Sequence, residues 1–494
     1  MTTRFSSVLP VIVGAVFGGL SSFALLTEEY AVLVPPLFLA VLYCMIQRPS
    51  DVFISLAFFV PLSINIEEYS DNFGLFIPTE PILLSFLLIL AAYQLRRNLI
   101  EGTHLKSWVM FFLFLYLSWL FITSIVSSNP FVSFKFILAR LWYVVPCLVF
   151  GPIFFSTLKS IKQFFWLYLI GTSIVVVYTV FNHATYAFGE KESHWVMAPF
   201  FKDHTIYGAI LALVTPFPIM LLLVDKGSLL KRVVLVSLMI IILIGLYFSY
   251  TRAAWLSVFG AGLILIVVLS KVKFAYVFGA LSLLIIFLLG NVDVIQMELA
   301  RNKEEHTTED FNKRLQSATN VTTDASNLER INRWTCAIEM AKERPFFGFG
   351  PGTYAFEYAR FQDPENLTII STNFGDLGNA HSEYLSALSE TGIIGLVLFV
   401  AFIGSYFYYL IRIVQEARHQ NQAIYIIACG ILFSQTTYFI HAVLNNFLDT
   451  DKAAFPIYSM MAITFVLKQF LSTKPQGGVE RSGIYPADSV NFEM

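Results

Sequence analysis

The stretch NAHSEYLSALSETGIIG, residues 379–395, sets a histidine and two glutamates at the head of an apolar run. Imidazole is the side chain best suited to move a proton near neutral pH. Asn379 is a good N-cap, which predicts His381 in the first turn of a helix. There the free N–H groups and the helix dipole disfavour imidazolium. A neutral imidazole so placed is fit to serve as a general base. The competing reading is an interfacial histidine satisfied by its neighbours. Glu390 follows nine positions later, half a turn out of phase and about 13 Å further along a straight helix. It is therefore not expected to orient His381, but to meet polar groups nearer the bundle centre. Gly392 and Gly395 permit a helix break or a close helix approach.

Four other places carry charge where apolar residues dominate. SYTRAAWL puts Arg252 between two apolar runs, and FKFILARLWYVVP puts Lys135 and Arg140 inside one. A cation in such a run is costly and faces a cavity or a partner; an ion pair or a snorkelling side chain is the plainer alternative. Arg330 lies in NLERINRW, within a segment 328–343 of helical character that ends abruptly at RPFFGFGPG. The glycines there fit a phosphate loop only weakly, since strand and helix do not flank them; a tight turn packed on the bundle competes. Asp203, before His204 at the head of another apolar run, reads as a cap or as a reserve site residue. Arginine forks match diphosphates through charge-assisted, often bidentate bonds.

The elements that must hold these residues are membrane helices. The chain has 494 residues, 56% hydrophobic and 13% charged, where a soluble domain carries about 25% charged residues. Mean hydropathy is +0.68. Apolar runs long enough to cross a bilayer recur. We count fourteen: 8–26, 31–47, 51–66, 79–95, 107–126, 131–155, 163–183, 204–224, 232–249, 253–270, 273–290, 382–411, 423–448 and 453–471. The third is short and the 249–253 turn very tight, so twelve or thirteen spans also fit. The first run has no convincing cleavage pattern and reads as an uncleaved helix. With the N-terminus inside, inner segments hold 17 of the 32 Lys and Arg and short outer loops four, as the positive-inside rule requires. The chain then divides into N-terminal helices (1–126), central helices with an outer loop at 184–203 (127–290), a large outer segment (291–380), C-terminal helices (381–471) and a polar, disordered inner tail (472–494). Every chemical candidate falls on the outer side. A net charge of −2 and the lack of a basic face argue against a nucleic-acid partner. Cys44, Cys147 and Cys429 lie in apolar runs and Cys336 does not, so neither a disulfide framework nor a metal spacing emerges. Acidic clusters with Mg²⁺ or Ca²⁺ spacing are likewise absent from the sequence. We expect no metal and no cofactor. The sequons at Asn320 and Asn366 carry little weight.

In chain order, FFKDHTIYGAILALVTPF, TRAAWL, RINRW with PFFGFGPG, and AHSEYLSALSETGIIG resemble the bacterial O-antigen ligase and O-antigen polymerase superfamily over roughly residues 130–450. The last motif is the most specific. The resemblance implies an all-α polytopic membrane enzyme with a glycosyltransferase-C-like architecture and one large periplasmic loop. It would act at the periplasmic face of a bacterial inner membrane. The implied donor is a glycan on a polyprenyl-diphosphate carrier. The acceptor is lipid A–core for a ligase and a carrier-linked repeat unit for a polymerase; relatives build exopolysaccharide. It implies a key histidine, matching His381, and diphosphate-binding arginines, matching Arg252 and Arg330. Arg140, Asp203 and Glu390 stand as further substrate-binding candidates. Single displacement with inversion is the expected outcome. HSEYL departs from common family variants, so the acceptor stays open. A flippase or transporter is the rival of another class. It would need repeat symmetry and polar pathway residues in both membrane halves, and the inner half here is bland.

Overall fold

The computed structural model describes residues 28, 30–68, 74–96, 103–225, 227–270, 325–362 and 378–472. The expected spans 8–26 and 273–290, both sequons, the whole of 291–324 and the tail past 472 lie outside the described residues. So does the stretch 363–377. What is described is almost wholly helical, and the chain is an all-α polytopic membrane protein. Among the described residues, ten helices are long and apolar enough to cross a membrane. Two shorter ones, α1 (Val34–Gln47) and α2 (Pro49–Leu62), have 14 residues each. These twelve correspond one for one to the twelve expected spans that fall on described residues.

The other helices are α3 (Thr79–Arg96), α4 (Trp108–Ile125), α5 (Pro130–Val144), α6 (Leu158–Ala184), α7 (His204–Val214), α8 (Pro216–Val224), α9 (Leu229–Phe248), α10 (Arg252–Leu269), α11 (Ala325–Glu343), α12 (Glu383–Gln420), α13 (Gln422–His441) and α14 (Asp451–Ser472). Pro216 divides α7 from α8 within one span, because proline cannot donate the ladder bond. A π-helical turn, Val145–Val149, extends α5 around Pro146. Helix starts follow their caps: Ser107 accepts from Met110 N, Asn129 from Val132 N, Thr157 from Ser160 N and Asn421 from Ala423 N.

Four boundaries differ from expectation, the first being the span expected to end at 411, whose helix runs on to Gln420. The third span stops at Leu62 and gives way to a two-residue antiparallel pair, Ile64 opposite Ile77 and Asn65 opposite Phe76. The 423–448 span stops at His441, and residues 442–450 form turns. Lys452, expected in an outer loop, is instead fully buried in the first turn of α14.

Starts of α7, α10, α12 and α14 gather with the end of α13. Thr251, the cap of α10, donates to the His204 carbonyl at 2.7 Å. Glu383 N donates to Ala442 O at 2.9 Å. The Glu383 carboxylate accepts from Tyr438 Oη (2.9 Å), Phe447 N (2.8 Å) and Leu448 N (2.7 Å). One buried carboxylate thus ties the head of α12 to the turn that follows α13. At the opposite end lie plain ion pairs, Lys162–Asp225 and Lys468–Glu416, both at 2.6 Å.

Candidate functional site

The site is built around the turn that precedes α12. Ser382, not Asn379, is the N-cap of α12, accepting from Leu385 N at 3.4 Å. His381 therefore stands outside the helix, not in its first turn as its sequence position suggests. Its φ is +45°, a left-handed conformation that costs a non-glycine residue energy. The Asn379 side chain holds that turn by accepting from His381 N at 3.0 Å. The His381 carbonyl accepts from Trp334 Nε1 of α11 at 3.3 Å.

The imidazole is half-buried. Burial, then the guanidiniums of Arg333 and Arg330, push its pKa down to about 4; a hydrogen bond with the Asn445 side chain and the nearby Asp203 oppose this. The neutrality expected from a helix dipole thus has another cause: enclosure and two neighbouring cations. Asn445 also lies 3.1 Å, Nδ2 to Nε2, from fully buried His441. A chain His381–Asn445–His441 results, with Arg330 and Asp203 acting electrostatically on both rings.

The structure brings His381, Arg330 and Asp203 together. Asp203 does cap α7, accepting from Thr205 N at 2.7 Å and Ile206 N at 3.2 Å. Arg252 is the first residue of α10, and its neighbour Ala253 presents backbone to His441. Arg140 and Glu390 belong to a different locality. Arg140 Nη1 donates to Leu448 O at 3.0 Å, and its guanidinium lies over the Phe136 ring. Glu390 accepts from Tyr354 N at 3.2 Å. Both line a cavity of about 300 Å³ between α4, α5 and α12.

The glycine-rich segment after α11 is a docking loop. Gly350 N donates to Glu390 O (2.8 Å), Phe349 N to Ser389 O (3.1 Å) and Ile393 N to Pro345 O (2.8 Å). These bonds meet α12 where Gly392, at φ +70°, breaks it. A Cβ on Gly392 would run into the Phe346 carbonyl. The loop therefore packs on the bundle, and the break anticipated at Gly392 is what receives it.

Sequence reasoning missed Arg333, Asn445, His441 and Glu383. Arg333 is buried, pairs with Glu329 at 2.7 Å and donates to Asn379 O at 3.2 Å. RINRW held a usable signal, since arginines three apart share a helix face. For Asn445 and His441 the i, i+4 spacing was visible, but nothing linked them to His381. Among the described residues no group of three or more His, Cys, Asp or Glu has metal-ligand geometry.

A family model described as O-antigen ligase matches residues 208–400. The match takes in Arg252, Arg330, His381 and Glu390, and stops short of α13, so His441 and Asn445 lie beyond it. No curated protein matches the chain.

Proposed function

We propose that this membrane protein, whose residues 208–400 match a family model described as O-antigen ligase, transfers a glycan from a polyprenyl-diphosphate carrier to an acceptor hydroxyl. The carrying observation is the His381 imidazole brought together with Arg330, Arg333 and a hydrogen-bonding Asn445, where burial and the two cations favour its neutral form. Arginines beside an uncharged base, one of them paired with Glu329 and with Asp203 nearby, suit an anionic ligand whose reaction needs proton removal.

The donor stores its energy in the anomeric diphosphate. Arg330 and Arg252 bind that diphosphate and stabilise the charge it gains on leaving. The acceptor hydroxyl attacks the anomeric carbon from the face opposite the diphosphate. His381 takes its proton, and the configuration inverts. Asn445, by accepting from one ring nitrogen, leaves the other with its lone pair toward the acceptor. No step draws on a metal ion.

The 17-to-4 distribution of basic residues supports placing this end of the bundle outside the inner membrane, in the periplasm. Lipid A–core is the acceptor for a ligase; a second carrier-linked glycan serves a polymerase. Reconstitution with a carrier-linked glycan and each acceptor tests the reading. Release of free polyprenyl diphosphate with the glycan on an acceptor is the expected result; no transfer to either acceptor overturns it. Labelling of cysteines placed in 184–203 and 325–362 in intact cells checks the orientation, which falls if they react only after the inner membrane is permeabilised.

A further inference from the structure

The cavity between α4, α5 and α12 lies across the 378–381 turn from the arginines. Asn379 is shared: it lines the cavity, while its carbonyl accepts from Arg333 and its side chain holds His381 N. One segment thus separates a cationic cluster from a cavity of different chemistry.

Three carboxylates, Glu383, Glu390 and Asp449, face two cations, Lys135 and Arg140. Carboxyl groups outnumber the cations, so the lining is not the cationic surface that a diphosphate calls for. Carboxylates accept well from hydroxyl groups, and the Tyr116, Phe136 and Tyr354 rings in the same wall offer faces for the C–H side of a sugar ring. The polar groups are already aimed: Glu383 by three donors, Glu390 by Tyr354 N and Arg140 by the Leu448 carbonyl. Such anchoring lowers the cost of ordering them around a ligand. Two lining residues, Ser386 and Asn446, each carry a buried oxygen with no hydrogen-bond partner among the described residues. Buried oxygens of that kind are rare unless a ligand or water completes them. The volume, about 300 Å³, is at the small end of ligand pockets and suits a terminal sugar, not a chain.

We propose that this cavity is the acceptor-sugar subsite, with Asp449, Glu390 and Asn446 receiving the sugar's hydroxyls beside His381. The inference rests on the transfer function above, and its test is a binding measurement that needs no turnover. Purified full-length protein is titrated with three probes: core oligosaccharide freed from lipid A, repeat-unit oligosaccharide freed from its carrier, and polyprenyl diphosphate without sugar. Ala139→Trp fills the cavity from α5, and Asp449→Asn removes one acceptor at constant shape. Each variant is expected to weaken oligosaccharide binding by about tenfold or more, in line with loss of a hydrogen bond to a charged group, and to leave polyprenyl diphosphate binding unchanged. The oligosaccharide that binds wild type identifies the acceptor source. Binding of neither oligosaccharide, equal binding by wild type and Asp449→Asn, or a parallel loss of polyprenyl diphosphate affinity overturns the proposal. Should the binding pattern hold while no transfer is found on reconstitution, the subsite stands and the transfer function falls.

Discussion

Two polar clusters are sunk into the same end of the bundle, and they are built differently. Around Lys452 the ammonium is closed in by protein acceptors. Its ammonium donates to the carbonyls of Val60 (2.6 Å), Pro61 (3.3 Å) and Ser63 (2.7 Å) and to the Ser63 hydroxyl. Asp451 beside it accepts from Ser63 and Thr79. An ammonium has three protons, so none remains for a substrate. The cluster caps the C-terminal carbonyls of α2 and welds α2 and α3 to α14. Around His381 the arrangement is open. The ring is half-buried, sits in a strained turn, and has cations for neighbours. A buried charge whose bonds all return to the protein is structural. Arg333 is held by Glu329 and the Asn379 carbonyl, and it stands with Arg330 close enough to depress the His381 imidazole, an arrangement that fits a function using an anion.

Removing the base is the sharpest way to break this contrast. His381→Ala is expected to lower the transfer rate on the order of 10²–10⁴, with donor affinity and fold retained. Paired rate and donor-binding measurements on purified protein decide it. A mutant with wild-type rate removes His381 from the chemistry, and one that also loses donor affinity makes it a phosphate ligand.

The arginines come next. Arg330→Ala and Arg252→Ala should each weaken donor binding by about 10- to 100-fold, the range for charge-assisted bonds of roughly 1.5–3 kcal/mol. Lysine should rescue poorly, because a point charge replaces a planar fork. Isothermal titration with polyprenyl diphosphate provides the check, and unchanged affinity in either alanine variant excludes that residue.

A smaller effect concerns pH. His381 in the folded protein has its pKa at about 4, against about 6.5 for free imidazole. The base form therefore persists to about pH 4, and activity should not fall near 6.5 on this residue's account. Between 6.5 and 4 the unfolded chain binds a proton that the folded ring refuses, so this group costs stability as pH falls through that window. The double variant Glu329→Gln/Arg333→Gln removes one depressing cation without stranding its buried carboxylate. The acid limb of the rate profile should then move up toward 6.5. An unmoved limb would show that another group sets it.

The least effect on catalysis is expected at the closed cluster. Lys452→Met leaves Asp451 buried without its partner and should destabilise by about 3–5 kcal/mol. Activity per folded molecule should be unchanged. Loss of transfer in protein that remains folded would erase the distinction between the two clusters.

The membrane helices were legible in the sequence because a spanning helix closes its own backbone bonds; apolar length alone then suffices. The tight turn before α10 was legible from the short gap between two apolar runs, whereas at Gly392 the sequence permitted either a break or a close approach and the docked loop decided for the break. The third span and the 423–448 span were read too long. Their apolar ends, Ser63–Ile66 and Ala442–Leu448, are held by partners distant in sequence, Lys452 and Glu383. The cap of α12 was placed at Asn379, yet Ser382 takes the role because the Asn379 oxygen is occupied by His381 N.

By itself, then, the sequence determined the helical class, the twelve apolar spans that fall on described residues, and the presence of a candidate histidine and arginines. Tertiary structure alone decided that Asn445 and His441 stand beside His381, that Arg140 and Glu390 face a cavity apart from Arg330, and that Lys452 is glue. Helical bonds reach four residues along the chain, so each element is written locally. The site is assembled from α11 and the ends of α7, α10, α12 and α13, and only the packing of whole helices brings those parts together.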